Sequence, residues 1–320
     1  MSRPQLRRWR LLSSPPRGVP GLALLALLAL LALRLAAGTD CPCPEPELCR
    51  PIRHHRDFEV FVFDVGQKTW KSYDWSQITT VATFGKYDSE LMCYAHSKGA
   101  RVVLKDFFPQ VTFDVAWSPK NIDRRCYNYT GIADACDFLF VMSYDEQSQI
   151  WSECIAAANA PYNQTLTGYN DYIKMSINPK KLVMGVPWYG YDYTCLNLSE
   201  DHVCTIAKVP FRGAPCSDAA GRQVPYKMIM KQINSSISGN LWDKDQQAPY
   251  YNYKDPAGHF HQVWYDNPQS ISLKSTYIQN YGLRGIGMWN ANCLDYSGDA
   301  VAKQQTEEMW EVLKPKLLQR

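Results

Sequence analysis

Acid–base chemistry needs acids that share one face, and on a strand that means alternate positions. Few acids here meet that condition. Asp88-Ser-Glu90 has the spacing but sits where no strand begins, and Asp134 and Asp137 precede the acid-free run Phe138–Met142. Asp64 and Asp114 stand in two separate apolar runs, and nothing in the sequence places them at one reacting bond. Polar and aromatic groups do gather where apolar runs end. Met142, Tyr144 and Asp145 close one run, Trp188 and Tyr189 follow Leu182–Val186, and Trp289 closes Gly285–Trp289. Cys41 and Cys43 lie in a Pro-rich stretch and no CxxC pair recurs, so disulfides are expected rather than zinc. No nucleotide, flavin or metal motif is present, and no cofactor is expected.

These residues need a frame. Short runs rich in β-branched and aromatic residues recur at Phe58–Phe63, Ile78–Phe84, Ala100–Leu104, Val111–Trp117, Phe138–Met142, Leu182–Val186 and Gly285–Trp289. Several are almost continuously apolar, as strands covered on both faces are. Helical intervals are predicted between them, at Ser89–Ser97 and Thr167–Ile177. Alternation of this kind argues for α/β with parallel strands. Roughly a hundred residues separate Val186 from Gly285, too many for one crossover. That interval, with a hairpin over Tyr250–Tyr265 turning at Asp255–Gly258, reads as an α+β insertion covering 190–265. The opposite irregularity lies between Leu104 and Val111, where Lys105–Gln110 is all that joins two runs. A parallel crossover takes at least about 10–12 residues.

The chain has 320 residues, with 34 Lys+Arg against 31 Asp+Glu. Six of the arginines lie in residues 1–38, which hold no acid, so the remainder is mildly acidic and offers nucleic acid no basic surface. Arg3, Arg7, Arg8, Arg10 and Arg17 precede the apolar run Leu22–Leu33, and Ala36, Ala37 and Gly38 follow it. That order is a secretory signal over 1–38; a membrane anchor would need roughly 20 apolar residues. Asn128, Asn163, Asn197 and Asn234 head glycosylation sequons, and all eleven Cys lie beyond residue 38. An odd number leaves at least one thiol without an intramolecular partner.

Taken together, Phe61-Val-Phe-Asp64, Phe113-Asp-Val-Ala-Trp117, Met142-Ser-Tyr-Asp145, Gly185-Val-Pro-Trp-Tyr-Gly190 and Gly287-Met-Trp-Asn290 resemble glycoside hydrolase family 18. Tyr265–Lys274 and Tyr281–Gly285 extend the resemblance, which covers the chain from the signal onward. It implies a (β/α)8 TIM-barrel domain over 39–320, with its site at the C-terminal strand ends. It also implies lysosomal hydrolysis of the β-1,4 GlcNAc–GlcNAc bond in the chitobiose core of Asn-linked glycans, by a monomer. Met142, Tyr144 and Asp145 would then end the sixth barrel strand, with Tyr144 and Asp145 on the N-acetyl group of the sugar. Trp289, ending the eighth strand, would be the stacking floor. Trp188 and Tyr189 stay open between a subsite wall and packing.

The family works by substrate assistance. Its acids come from one DxxDxDxE motif on the fourth barrel strand, and that motif is absent here. Its expected place coincides with the short Leu104–Val111 join. The third helix, fourth strand and fourth helix are therefore expected to be missing, with Asp106–Gln110 as the scar. The expectation is an incomplete barrel, catalytically impaired. Two alternatives stay open: a lectin-like binder of GlcNAc oligosaccharides, or a chain degraded in the secretory pathway.

Overall fold

The computed structural model describes residues 41–53, 56–103 and 111–314. The expected signal over 1–38 and the expected scar at 106–110 lie outside the described residues. The chain divides after Pro42, and the strands and helices named below all belong to the unit beginning at Cys43. No helix among the described residues is long and apolar enough to cross a membrane.

In chain order the elements are β1 (Glu59–Asp64), β2 (Thr80–Thr83), α1 (Ser89–Ser97), β3 (Arg101–Val103), β4 (Thr112–Ala116), α2 (Tyr129–Ala135), β5 (Phe138–Met142), α3 (Tyr162–Lys174) and β6 (Leu182–Pro187). There follow β7 (Tyr189–Thr194), β8 (Asn197–Leu198), β9 (Cys204–Thr205), β10 (Gly221–Pro225), α4 (Tyr226–Gln232), β11 (Leu241–Asp243), β12 (Ala248–Lys254), β13 (Phe260–Trp264), α5 (Pro268–Tyr281), β14 (Gly285–Trp289) and α6 (Ala300–Glu311). The strand ends differ from the sequence expectation by a residue or two. The helix expected at Thr167–Ile177 begins earlier, at Tyr162, because Pro161 supplies an extended residue just before it.

Seven strands form one parallel sheet in the order β3-β2-β1-β14-β6-β5-β4. That is the strand order of a parallel barrel with one strand left out between β3 and β4. Among the described residues those two strands are the edges of the sheet and do not pair with each other. All six residues of β1 and of β6 are buried, as expected for strands covered on both faces. Phe61 and Phe63 from β1 meet Phe138 and Phe140 from β5, with ring centroids 4.9–5.7 Å apart. Gly185 and Gly287 make room for this cluster, since a Cβ at either would come within 2.7 Å of the Phe140 ring. On the outer side, Asp88 caps α1 by accepting from Glu90 and Leu91 N–H. Asn267 and Ser270 form a reciprocal cap on α5, which Gly282 terminates at φ +64°.

Between β6 and β14 lies a separate antiparallel sheet, β10-β7-β13-β12-β11. The hairpin of β12 and β13 turns through Asp255–Gly258 as the sequence predicted. Disulfides join Cys43 to Cys93, Cys154 to Cys216 and Cys195 to Cys204. Cys41 and Cys49 are also disulfide-bonded, while Cys126, Cys136 and Cys293 are free. Parity demanded at least one free thiol, and the structure holds three.

Candidate functional site

The segment leaving β5 carries the site. Ser143 is fixed beneath it, its hydroxyl 2.7 Å from that of Tyr169 on α3. Asp145 has a left-handed backbone, φ +52°. A non-glycine residue holds that conformation only when its surroundings impose it. Asn159, buried at 1 % exposure, does so: its Oδ1 accepts from Asp145 N–H at 2.7 Å and its Nδ2 donates to the Tyr189 carbonyl.

The Asp145 carboxylate is then oriented from β7, a strand of the antiparallel sheet. Tyr189 and Tyr191, alternate residues of β7, both donate hydroxyl protons toward Oδ1, at 2.6 and 2.9 Å. Oδ2 has no hydrogen-bond partner among the described residues, and Asp145 lines a small cavity with Trp117, Ile122, Arg125, Met142, Tyr144 and Ser148. Burial raises the Asp145 carboxyl above the ordinary aspartate range, and the two phenols pull it back down. Tyr144 stands edge-on to Tyr189 at 6.1 Å. Its phenol is pushed well up, first by burial and then by the charges of Asp114 and Asp145.

Met142, Tyr144, Asp145 and Tyr189 therefore come together. Trp289 sits at the end of β14, half-buried, against Phe63 and Phe84 at 5.2 and 5.3 Å. No hydrogen bond or ring contact among the described residues joins it to Tyr144 or Asp145, but it shares their end of the sheet. Trp188 is different. At 0 % exposure, with its indole edge-on to Trp310 at 5.0 Å, it offers no face to a ligand. Of the two readings open for Trp188, its position favours packing.

Four residues of the site escaped the sequence reading: Asn159, Tyr191, Asp218 and Arg125. Tyr191 had a signal, because residues i and i+2 of a strand share a face and Tyr189 was already a candidate. Asn159 and Asp218 had none; they reach Asp145 and Tyr191 only through the fold. Asp218 Oδ2 lies 3.1 Å from the Tyr191 hydroxyl, and burial followed by the Asp145 charge raises its carboxyl to about 7. Asp114 on β4 is exposed to solvent along the sheet edge, yet surrounded closely enough for desolvation to lift its carboxyl to about 6. The acids thus line up as single carboxylates from β4, the β5 loop and the insertion. No two of them alternate on one strand.

The asparagines of the four sequons, Asn128, Asn163, Asn197 and Asn234, are all exposed. Residues 103–293 match the profile of Glycosyl hydrolases family 18. The chain is 81 % identical to the Homo sapiens di-N-acetylchitobiase, with all of both chains covered. It is 34 % identical to the probable di-N-acetylchitobiase 2 of Dictyostelium discoideum, over 85 % of this chain and 90 % of that one. The human alignment runs over 385 positions against the 320 residues present here, which leaves 65 positions unfilled. Among solved structures, a chitinase from Rhizomucor miehei superposes with a TM-score of 0.58 at 16 % identity, covering 81 % of this chain and 100 % of that one. The fold, the strand-end motifs and the sequence kinship agree: this chain belongs to glycoside hydrolase family 18, with chitobiase-type glycosidases among its relatives.

Proposed function

We propose that this chain is a chitobiase-type glycosidase by descent that keeps a binding platform for GlcNAc-containing oligosaccharides and has lost turnover. The observation that carries the reading is the state of Asp145. Two phenols and an asparagine hold it in a strained backbone conformation, with one carboxylate oxygen left without a hydrogen bond among the described residues and Tyr144 lining the same cavity. Strain of that kind persists where a site requires it. A carboxylate and a phenol can orient an N-acetyl amide, and the partly exposed Trp289 indole can cover the apolar side of a pyranose ring.

Turnover needs a proton donor at the leaving oxygen and a group that steadies the oxazolinium ion. The strand expected to carry both would lie between β3 and β4, which instead are the two edges of the sheet. Asp114 holds its proton to near pH 6, but it has no alternating acid partner on β4. Eight oxidised cysteines and four exposed sequon asparagines support a secretory route, and the family resemblance implies a lysosomal end to it.

The test is a thermal melt of the secreted protein with and without N-acetyl-chito-oligosaccharide, paired with a hydrolysis assay. A cooperative transition that rises with ligand, with no hydrolysis above background, is the expected result. Hydrolysis at an ordinary glycosidase rate overturns the loss of turnover. A cooperative transition that ligand leaves unmoved overturns the binding platform. No cooperative transition at all favours the other outcome, a chain degraded in the secretory pathway.

A further inference from the structure

Tyr191 has one hydroxyl proton and two carboxylates within reach. Its oxygen lies 2.9 Å from Asp145 Oδ1 and 3.1 Å from Asp218 Oδ2, and Gln223 Nε2 donates to it at 3.1 Å. A phenol donates once and accepts twice. Gln223 fills one acceptor position, and the single proton can serve only one of the two acids. The remaining contact is a hydrogen bond only if the other acid brings its own proton.

Which acid brings it follows from their surroundings. Asp145 Oδ1 already accepts from Tyr189 as well, so two donors favour its charged form. Asp218 meets one side-chain partner, the Tyr191 hydroxyl, and one backbone donor, Ala219 N–H, and burial outweighs both. The charged neighbours do not favour ionising Asp218. Asp123 adds negative charge, and Arg125, which favours the charged form of Asp145, lies 3.8 Å from Asp123. Tyr189 and Tyr193, the remaining titratable groups of β7 near the cluster, stay neutral because burial raises both phenols far above their ordinary range. The segment cannot easily drift off, because the Cys154–Cys216 disulfide ties it to the chain that follows Asp145.

We propose that Asp218 is a positioning residue of the oligosaccharide site: protonated, it donates to Tyr191, Tyr191 donates to Asp145, and Asp145 is thereby aimed at the sugar. The proposal rests on the binding reading above and adds its pH window. Burial and the Asp145 charge raise the Asp218 carboxyl to about 7, in agreement with the hydrogen-bond count. Once Asp218 ionises, one phenol proton faces two like charges, the chain of donors breaks, and Asp145 loses half of its support.

The experiment measures N-acetyl-chito-oligosaccharide affinity from pH 5 to pH 8.5 for the full secreted chain and for Asp218→Asn. The amide of the variant donates to Tyr191 at every pH. The wild type is expected to weaken by about tenfold or more through neutrality, and Asp218→Asn to stay level. A level wild-type profile, or an unchanged step in Asp218→Asn, overturns the proposal. Tyr191→Phe removes the bridge and serves if the first variant misfolds. It should bind weakly with no step, and a retained step overturns the proposal equally. A ligand-free infrared titration separates this inference from the binding reading. A carboxylic-acid carbonyl band that disappears near neutrality, and is absent from Asp218→Asn, supports the proton on Asp218 even if no sugar binds. Its absence from the wild type overturns it.

Discussion

Arg101 Nη2 lies 2.6 Å from Glu59 Oε2, with both side chains almost wholly enclosed. The pair spans β1 to β3, and Thr80 of β2 donates to the same carboxylate at 2.6 Å. One edge of the open sheet is therefore fixed by a buried charge. Removing Arg101 leaves the buried Glu59 carboxylate with a single cation, Arg284, at 3.8 Å, and breaking a buried pair typically costs about 3–5 kcal/mol. Arg101→Ala should lower the midpoint of chemical unfolding by that much, or abolish secretion. A variant as stable as the parent would show that β3 is not held this way.

Among the described residues, no buried ion pair of this kind holds the opposite edge, β4. Phe113 on β4 is 39 % exposed, and Phe84 after β2 is 49 % exposed. Two unpaired parallel edges with aromatic groups beside them are a liability for a fold whose whole stability is ordinarily about 5–15 kcal/mol. The chain is expected to melt well below the human relative, by more than about 10 °C, and to be cut by protease under conditions that leave that relative intact. Equal resistance in a side-by-side digestion would mean that the open seam costs little.

Catalysis should fall further than stability. Loss of a positioned general acid alone is worth about 10²–10⁴-fold, and the group steadying the oxazolinium is expected to be missing with it. Hydrolysis of an N-acetylchitobiose substrate should therefore lie at least about a hundredfold below the human relative at equal folded protein. Asp114→Asn should change that residual rate by less than twofold. A larger loss would give Asp114 the role of a substitute acid.

The two tryptophans are expected to separate binding from scaffold. Trp289→Ala is expected to weaken oligosaccharide binding about tenfold or more, as stacking on an indole is worth on the order of 1–3 kcal/mol in comparable base–aromatic contacts. Trp188→Phe should lower the melting temperature through the lost contact with Trp310 and leave the affinity of the folded fraction unchanged. Calorimetric titration of both variants checks this, and the reverse pattern would exchange their roles.

Much of this was legible in the residues because parallel strands write themselves as apolar runs. Phe138–Met142 and Gly285–Trp289 fall where the sequence placed them. The shortage between Leu104 and Val111 reappears as two unpaired edges, because crossover length is a geometric constraint visible in one dimension. Tyr144 and Asp145 were legible for the same reason, standing where a strand ends. Asn159 and Asp218 were not. They act on residues 14 and 27 positions away through side-chain contacts that no periodicity encodes. Trp188 shows the converse difficulty, since a tryptophan at a strand end looks alike in sequence whether it meets solvent or Trp310.

Stability should depend on pH in a direction set by three acids. Burial raises Glu146 to about 8, Asp218 to about 7 and Asp114 to about 6. Glu146 is the most enclosed: Thr165 donates to its Oε1 at 2.6 Å, and Oε2 is buried without a partner. Unfolded, all three would release their protons near pH 4. Between there and each raised value the folded chain binds more protons than the unfolded one, so stability falls as pH rises. Asp295 works the other way, held at about 2 mainly by a hydrogen bond from Lys231, and its contribution is lost only in strong acid. The optimum should therefore lie near pH 4–5, with the melting temperature lower by about 5 °C or more at pH 8. Glu146→Gln should flatten the decline, since a neutral amide replaces the acid with the highest value. A melting temperature that climbs from pH 5 to pH 8 would mean these carboxyls ionise at their ordinary values, and that the interior around Glu146 admits water.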